Sequence, residues 1–257
     1  MGVDIAAGDK WELVARGIEA VTFRATANYT LKNGLRTQSS GEALSSADRT
    51  VVTTRFESLP ECTLTSIGIN LISGTVPGQP GEQFIEVHIR RSGSTIATLV
   101  SGYFYANHVP SYPGKIEGPQ DGPGRIIETA TAAPAAGAEI AAQAVPTDAL
   151  WLVHSFRIQM VQGATQTPRA RLNMRNASGT SMALLESQAA LTASTTVDYT
   201  WALGGASING TTSGALVQNM PLPDIRLPET YDLITSTSGI GANSNYGIAQ
   251  VTVEEWI

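Results

Sequence analysis

Three histidines are the first residues to weigh, because imidazole carries much of the acid–base and metal chemistry that proteins perform near neutral pH. His88 lies on the polar side of an alternating strand, which predicts a solvated side chain. His154 shares its strand parity with Phe156 and Ile158, which favours a satisfied core or edge histidine over a metal ligand. Only His108 lies in a loop, within a Pro/Gly-rich segment.

The other reactive side chains do not form a catalytic pattern either. Glu254 and Glu255 are adjacent on a strand and point to opposite faces, so they cannot share a substrate or a metal. Asp121 and Asp224 lie beside Pro and Gly, where turn formation is their ordinary role. The single cysteine, Cys62, excludes an internal disulfide and a Cys-based zinc site. No Walker loop, GxGxxG, HExxH or GxSxG occurs. We therefore expect no catalytic, cofactor-binding or metal-binding residues and no enzymatic activity.

An aromatic group near the middle of the chain is the remaining candidate site. It comprises Tyr103, Tyr105, His108 and Tyr112, and it borders the Pro/Gly-rich segment 107–124. One interpretation is a patch that contacts a glycan or a protein partner. The simpler interpretation is a loop that is packed by its own aromatic side chains.

Two alternating stretches organise the rest of the chain. Segments 64–71 and 155–160 place apolar residues at every second position, the period of a half-buried strand. After each comes a similar pattern, at 87–97 and at 172–183, which reads apolar, polar, apolar, Arg and then Ser-Gly with a hydroxyl residue. Two β-domains of related design explain this repeat, and chance similarity between two hairpins is the alternative.

The remaining segments predict more strands and very little helix. A short helix is predicted within residues 1–20, and Asn33-Gly34 predicts a hairpin turn. Residues 39–48 read as a polar loop, and the prolines in 220–228 confine that segment to an edge or a linker. Further strands are predicted at 21–31, 50–56, 84–90, 96–105, 170–175, 182–187, 197–203, 231–236 and 247–256.

These elements predict an all-β fold with two antiparallel β-sandwich or jelly-roll domains. An Ig-like sandwich is the second choice, because the usual pair of cysteines is absent. The predicted organisation is an N-terminal arm (1–20), a first sandwich (21–106), a connector (107–124) and a second, jelly-roll-like sandwich (125–257).

Composition limits the classes of partner. Charged residues make up only 15% of the 257 residues, against a usual quarter, and Thr, Ser, Ala and Gly take their place. The net charge of −6 argues against nucleic-acid binding, which needs a basic face. No apolar run is long enough for a membrane span, and the first residues lack a signal-peptide pattern. We therefore expect synthesis in a cytoplasm and no membrane partner.

Several segments together resemble structural proteins of tailed bacteriophages. They are the middle loop at 101–126, the strands at 151–160 and 170–175, the proline-rich 221–228 and the final strand ending at 253–256. The resemblance covers residues 85–257 and implies a virion location, assembly in multiple copies and no enzymatic activity. It transfers no functional residues.

The resulting hypothesis is a non-enzymatic phage virion protein without cofactors. It would attach to the capsid exterior or the head–tail region as a decoration or cement protein, a collar component or a fibre anchor. Its partners would be major capsid or head–tail proteins and further copies of itself. The first alternative is a tail-associated receptor- or carbohydrate-binding module that uses the four aromatic residues. The second is a β-sandwich hydrolase, which would need a polar cluster at one end of a sheet.

Overall fold

A computed structural model describes residues 2–75, 77–106, 108–116, 124–163, 167–190, 192, 194–212 and 215–257. The described residues contain no helix, and they form strands arranged in sandwich-like pairs of sheets. The predicted all-β class is therefore confirmed. The chain divides into two compact units, Met1–Arg125 with Trp256–Ile257, and Ile126–Glu255.

The first unit is built from two four-stranded sheets. Its strands are β1 (Val3–Ile5), β2 (Lys10–Gly17), β3 (Thr22–Leu31), β4 (Arg36–Leu44), β5 (Val52–Ser58), β6 (Cys62–Ser73), β7 (Gln83–Arg91) and β8 (Ser94–Tyr103). One sheet has the order β1-β6-β3-β4 and the other β5-β2-β7-β8, with every pair antiparallel. Alternate apolar residues of both sheets, among them Leu13, Phe23, Ile69 and Val87, meet in one buried core.

The helix predicted within residues 1–20 is wrong. Residues 10–17 form β2, a central strand that pairs with β5 on one side and with β7 on the other. Trp11, Leu13 and Ala15 are buried at a spacing of two, and this spacing is the strand period. The predicted N-terminal arm is thus part of a sheet in the first unit. Pairing on both edges satisfies the backbone of β2, so tertiary contacts override the weak helical spacing.

The hairpin predicted at Asn33-Gly34 is present, with Gly34 at φ 86° and its N–H donating to the Leu31 carbonyl at 2.9 Å. The polar loop predicted at 39–48 is wrong over its first six residues. Most of the polar segment 39–48 belongs to β4, whose side chains are mostly exposed or half-buried. An edge strand with one solvated face needs few apolar residues, so its composition resembles that of a loop.

The second unit contains the remaining strands. They are β9 (Arg125–Ala130), β10 (Gln143–Ala144), β11 (Leu150–Val161), β12 (Arg171–Arg175), β13 (Ser181–Glu186), β14 (Thr196–Leu203), β15 (Ile208–Thr212), β16 (Ala215–Leu222), β17 (Arg226–Pro228), β18 (Asp232–Thr235), β19 (Asn245–Tyr246) and β20 (Gln250–Trp256). The small sheet has the order β10-β18-β12-β13. The large sheet has the order β15-β16-β14-β11-β20-β9, and β17 and β19 also pair with β11.

One pair in the large sheet departs from the antiparallel pattern. Strands β14 and β16 are parallel, with Trp201 opposite Met220 and Ala202 opposite Pro221. Strand β16 also pairs with β15, but that ladder ends at Asn219, so at Pro221 the strand has a neighbour only in β14. This one-sided pairing fits the edge position predicted for the proline.

The predicted repeat is reproduced at the level of hairpins. In each unit a twelve-residue strand, β6 or β11, belongs to one sheet, and the hairpin that follows it, β7–β8 or β12–β13, belongs to the opposite sheet. Gly93 and Gly179 turn these hairpins at φ 86° and 78°, a backbone conformation that glycine adopts without strain.

The predicted connector 107–124 lies only partly within the described residues, because residues 107 and 117–123 fall outside them. The described part is not a free linker. Tyr112 exchanges backbone hydrogen bonds with Ile67 at 3.0 and 3.1 Å, and the first unit continues to Arg125.

A pair of substitutions in β6 tests the inner and outer faces of this strand. Ile69 is 3% exposed and Ile72 is 43% exposed. Ile69→Ala should lower the free energy of unfolding by about 2–5 kcal/mol, because it leaves a cavity in the core. Ile72→Ala is the matched control and should cost less than about 1 kcal/mol. Urea denaturation followed by circular dichroism measures both values, and equal losses would contradict the assigned register.

Candidate functional site

The aromatic group predicted from the sequence does not form one surface. Tyr103 ends β8 opposite Phe84, and their rings meet edge to face with centroids 5.1 Å apart. The side chain of Tyr103 is only 2% exposed, so its ring cannot contact a ligand. Tyr103 lies outside the apolar core of the first unit, beside Phe84 on the other face of the sheet, and its burial there keeps its ring out of a contact patch.

Tyr105 and His108 do come together. Their backbones exchange hydrogen bonds at 3.1 and 2.9 Å, and this tight turn brings the two rings into a stack with centroids 5.0 Å apart and planes inclined by 20°. Both side chains are half-buried. Tyr112 is also half-buried, but its ring packs against the core of the first unit. Of the four predicted contact residues, the structure therefore pairs Tyr105 with His108.

A charged cluster that the sequence did not reveal lies on the outer face of the β5-β2-β7-β8 sheet. Its centre is Glu12, whose side chain is 2% exposed although it points away from the sandwich core. Arg90 donates to Glu12 Oε1 at 2.8 Å, and Arg55 Nε lies 3.5 Å from Oε2. The Oε2 atom is buried and has no hydrogen-bond partner. Burying a carboxylate in this way requires nearby positive charge, which the two arginines supply.

His88 joins the same cluster and is not the solvated side chain that its parity predicted. It is 17% exposed and lies between two carboxylates, with Nδ1 3.7 Å from Glu12 and Nε2 3.6 Å from Glu86. The contact with Glu86 raises the pKa of His88 above its ordinary value, burial opposes this effect, and Glu12 adds to it. In return, His88 holds the pKa of Glu86 below its usual range. When it is protonated, the imidazole of His88 bridges two acids.

The second unit holds the other histidine at a surface. His154 is half-exposed, with Nε2 3.2 Å from Glu254 Oε2. Its neighbour Glu255 is fully buried and accepts a hydrogen bond from Trp151 Nε1 at 2.7 Å. The two adjacent glutamates thus face opposite ways, as predicted. His154 therefore has a hydrogen-bond partner, as predicted, but its side chain lies outside the core, so the parity that it was expected to share with Phe156 is wrong.

The outer face of the β1-β6-β3-β4 sheet has the opposite character. The register places Thr26 between Ser40 and Gly68, and Asn28 between Gln38 and Ser66. Arg24 lies beside Glu42 and donates to it at 2.6 Å, so this pair is neutral overall. Asn28 donates to Ser66 at 3.0 Å. The result is a face of mostly uncharged hydroxyl and amide side chains, which we call the polar face.

In the part of the chain that the structure describes, no three His, Cys, Asp or Glu side chains are grouped so that they could hold a metal ion. Across the same residues, no helix has the length and apolar character needed to cross a membrane.

Comparisons with known protein families, with curated proteins and with solved structures find no match to this chain.

The His88 bridge predicts a pH-dependent stability. Because its folded pKa is raised, its contribution is complete below the unfolded value of about 6.5 and is lost as the pH rises through the higher folded value. The free energy of unfolding should therefore fall as the pH rises above about 6.5. His88→Gln should remove this fall and cost about 1 kcal/mol at pH 6.

Urea denaturation at several pH values measures this effect. His108→Gln is the control, because it removes a histidine from the same unit without touching the two carboxylates, and it should keep the wild-type slope. A His88→Gln variant that still loses stability over this pH range would contradict the assignment.

Proposed function

We propose that this chain is a non-enzymatic structural protein of a tailed-phage virion, attached to the capsid exterior or the head–tail region as a decoration, collar or fibre-anchoring component. The resemblance of segments 101–126, 151–160 and 221–228 to such proteins supports the proposal. The all-β architecture of both units is compatible with it. The polar face of the first unit is the observation that carries the proposed docking.

The polar face has the chemistry of a wet protein–protein contact. Its side chains are mostly Thr, Ser, Asn and Gln, which carry no full charge, so covering them costs less solvation than covering ions when their hydrogen bonds are remade. Interfaces of this kind are held by direct hydrogen bonds and bridging waters. Three strands of this length present a surface of about 14 Å by 30 Å, so several copies around a symmetric shell would add up to a stable attachment.

A second surface favours contact between copies of the chain. Strand β13 is the edge of the small sheet in the second unit, and its outward side chains Met182 and Leu184 are 45% and 48% exposed. An open edge with apolar side chains is a pairing template that monomeric proteins usually protect. Two ion pairs lie at the ends of this apolar patch: Arg175 with Asp232 at 2.6 Å, and Arg171 with Glu186 at 2.7 Å. They would form a polar rim around it. We propose that copies of the chain contact each other through β13.

A substitution in the middle of the polar face tests the docking. Thr26→Arg places a bulky charge between Ser40 and Gly68 without entering the core. We expect the isolated variant to fold normally and its occupancy in purified particles to fall about tenfold, because an unpaired charge must be desolvated on docking. Quantitative mass spectrometry of the particles measures the occupancy.

Thr53→Arg is the matched control, since Thr53 is exposed on β5 in the other sheet of the same unit. It should enter particles like the wild type. Normal incorporation of Thr26→Arg would contradict docking through the polar face. Absence of the wild-type chain from purified particles, despite its presence in the lysate, would contradict the virion function itself.

A tail-associated carbohydrate-binding module is the second candidate function, and the Tyr105–His108 stack favours it. Each ring of the stack has one face turned away from the other, and sugars bind to such faces through their C–H groups. Tyr105→Ala should abolish specific binding on a glycan array, whereas Tyr231→Ala, in the second unit, should retain it. An array on which the wild type binds no glycan would exclude this candidate.

A further inference from the structure

We propose that the first unit binds a phosphate- or sulfate-type oxyanion in a concavity beside Glu12. The concavity has a volume of about 470 Å³, and Lys10, Arg55 and Arg90 line it together with Glu12. The inference rests on the charge and register of these residues alone and is independent of the virion assignment.

Strand pairing forces the positive charges together. Lys10 lies directly opposite Arg90 on the neighbouring strand β7, and Glu12 lies opposite Arg55 on β5. Like charges that face each other across a ladder are destabilising. Glu12 relieves this repulsion only in part, because Arg90 donates to Oε1 at 2.8 Å and Arg55 lies 3.5 Å from Oε2. Lys10 has no ion-pair partner among the described residues.

The charge balance selects the class of ligand. Three cations and one carboxylate leave an excess of two positive charges in a chain whose net charge is −6. The neighbouring charged groups do not cancel this excess. Arg91 is paired with Asp9 at 2.7 Å, and His88 is held between Glu86 and Glu12. A doubly charged oxyanion compensates the excess, whereas a single carboxylate leaves one cation unpaired.

The donors are also suited to a tetrahedral anion. The Arg90 guanidinium is fixed at both ends, since it donates to Glu12 and to the Gly93 carbonyl. Lys10 is exposed, and the side chain of Arg55 is 73% exposed although its Nε lies 3.5 Å from Glu12, so both cations border the open side of the concavity. Gly8 and Gly93 border the concavity, and a Cβ at either position would meet no atom within 4 Å, so the rim is open. Guanidinium groups bind such oxygens through paired N–H donors, and an ammonium adds a point charge.

Direct titration of the whole chain with inorganic phosphate and with sulfate tests the site. Isothermal titration calorimetry at constant ionic strength is preferred to a thermal shift, because both anions stabilise proteins without binding a site. We expect saturable binding of both. Lys10→Gln and Arg55→Gln should each weaken it about tenfold, since each removes one charge-assisted contact. Titration with glycerol phosphate shows whether the site also accepts a phosphate ester. If glycerol phosphate binds as tightly as inorganic phosphate, the site takes esters as well as free anions.

Lys32→Gln is the control, because it removes the same charge from the first unit at an exposed position paired with Glu61. It should bind like the wild type. Heat signals that do not saturate, or an equal loss of affinity in Lys32→Gln, would overturn the site. An Asp-rich peptide that binds more tightly than phosphate and is lost in Lys10→Gln would overturn the ligand class in favour of an acidic protein segment.

Discussion

The antiparallel ladder between β2 and β7 is the constraint on which the first unit depends. Its register places Leu13 opposite Val87 in the core, and the same register places Glu12 opposite His88 on the outer face. A slip of one residue would exchange the two faces, because side chains alternate along a strand. Core packing therefore fixes where the charges meet. The buried glutamate is held in place by apolar contacts on the other side of its own strand, and its cationic neighbours compensate the cost of its burial.

The sequence predicts where the strands lie better than it predicts which strands pair with each other. The alternation of apolar and polar residues identified β6 and residues 155–160 of β11, because one face of each of these segments is apolar. Strand β2 was missed, since its apolar residues are compatible with both a helical and an extended spacing until β5 and β7 pair with it. The cluster around Glu12 could not be predicted for the same reason. Its members lie on three strands, and only the pairing register shows that they face one another.

The histidine in β11 shows how a local irregularity limits parity arguments. Val153 and Phe156 are both buried, and the two residues between them, His154 and Ser155, are both half-buried. The strict period of two therefore breaks inside the strand, and extrapolation from Phe156 placed His154 on the wrong side. In the final strand the period of two holds as far as Glu255: Val251, Val253 and Glu255 are buried, and the residues between them are half-buried. Opposite directions for Glu254 and Glu255 were therefore predicted correctly from adjacency alone.

The two outer faces of the first unit differ in the interactions through which they would bind a partner, and therefore in how salt affects that binding. At the charged face, attraction of an anion to Lys10 and Arg55 acts partly through solvent, and added salt screens it over a distance of about 8–10 Å. The polar face, where Thr26 and Asn28 lie among hydroxyl and amide groups, carries almost no net charge, so salt hardly weakens hydrogen-bonded contacts there. Ionic strength can therefore separate the two kinds of binding within one unit. Between these two faces, association that weakens steeply with added salt points to the cationic concavity, and association that changes little points to the hydroxyl and amide surface.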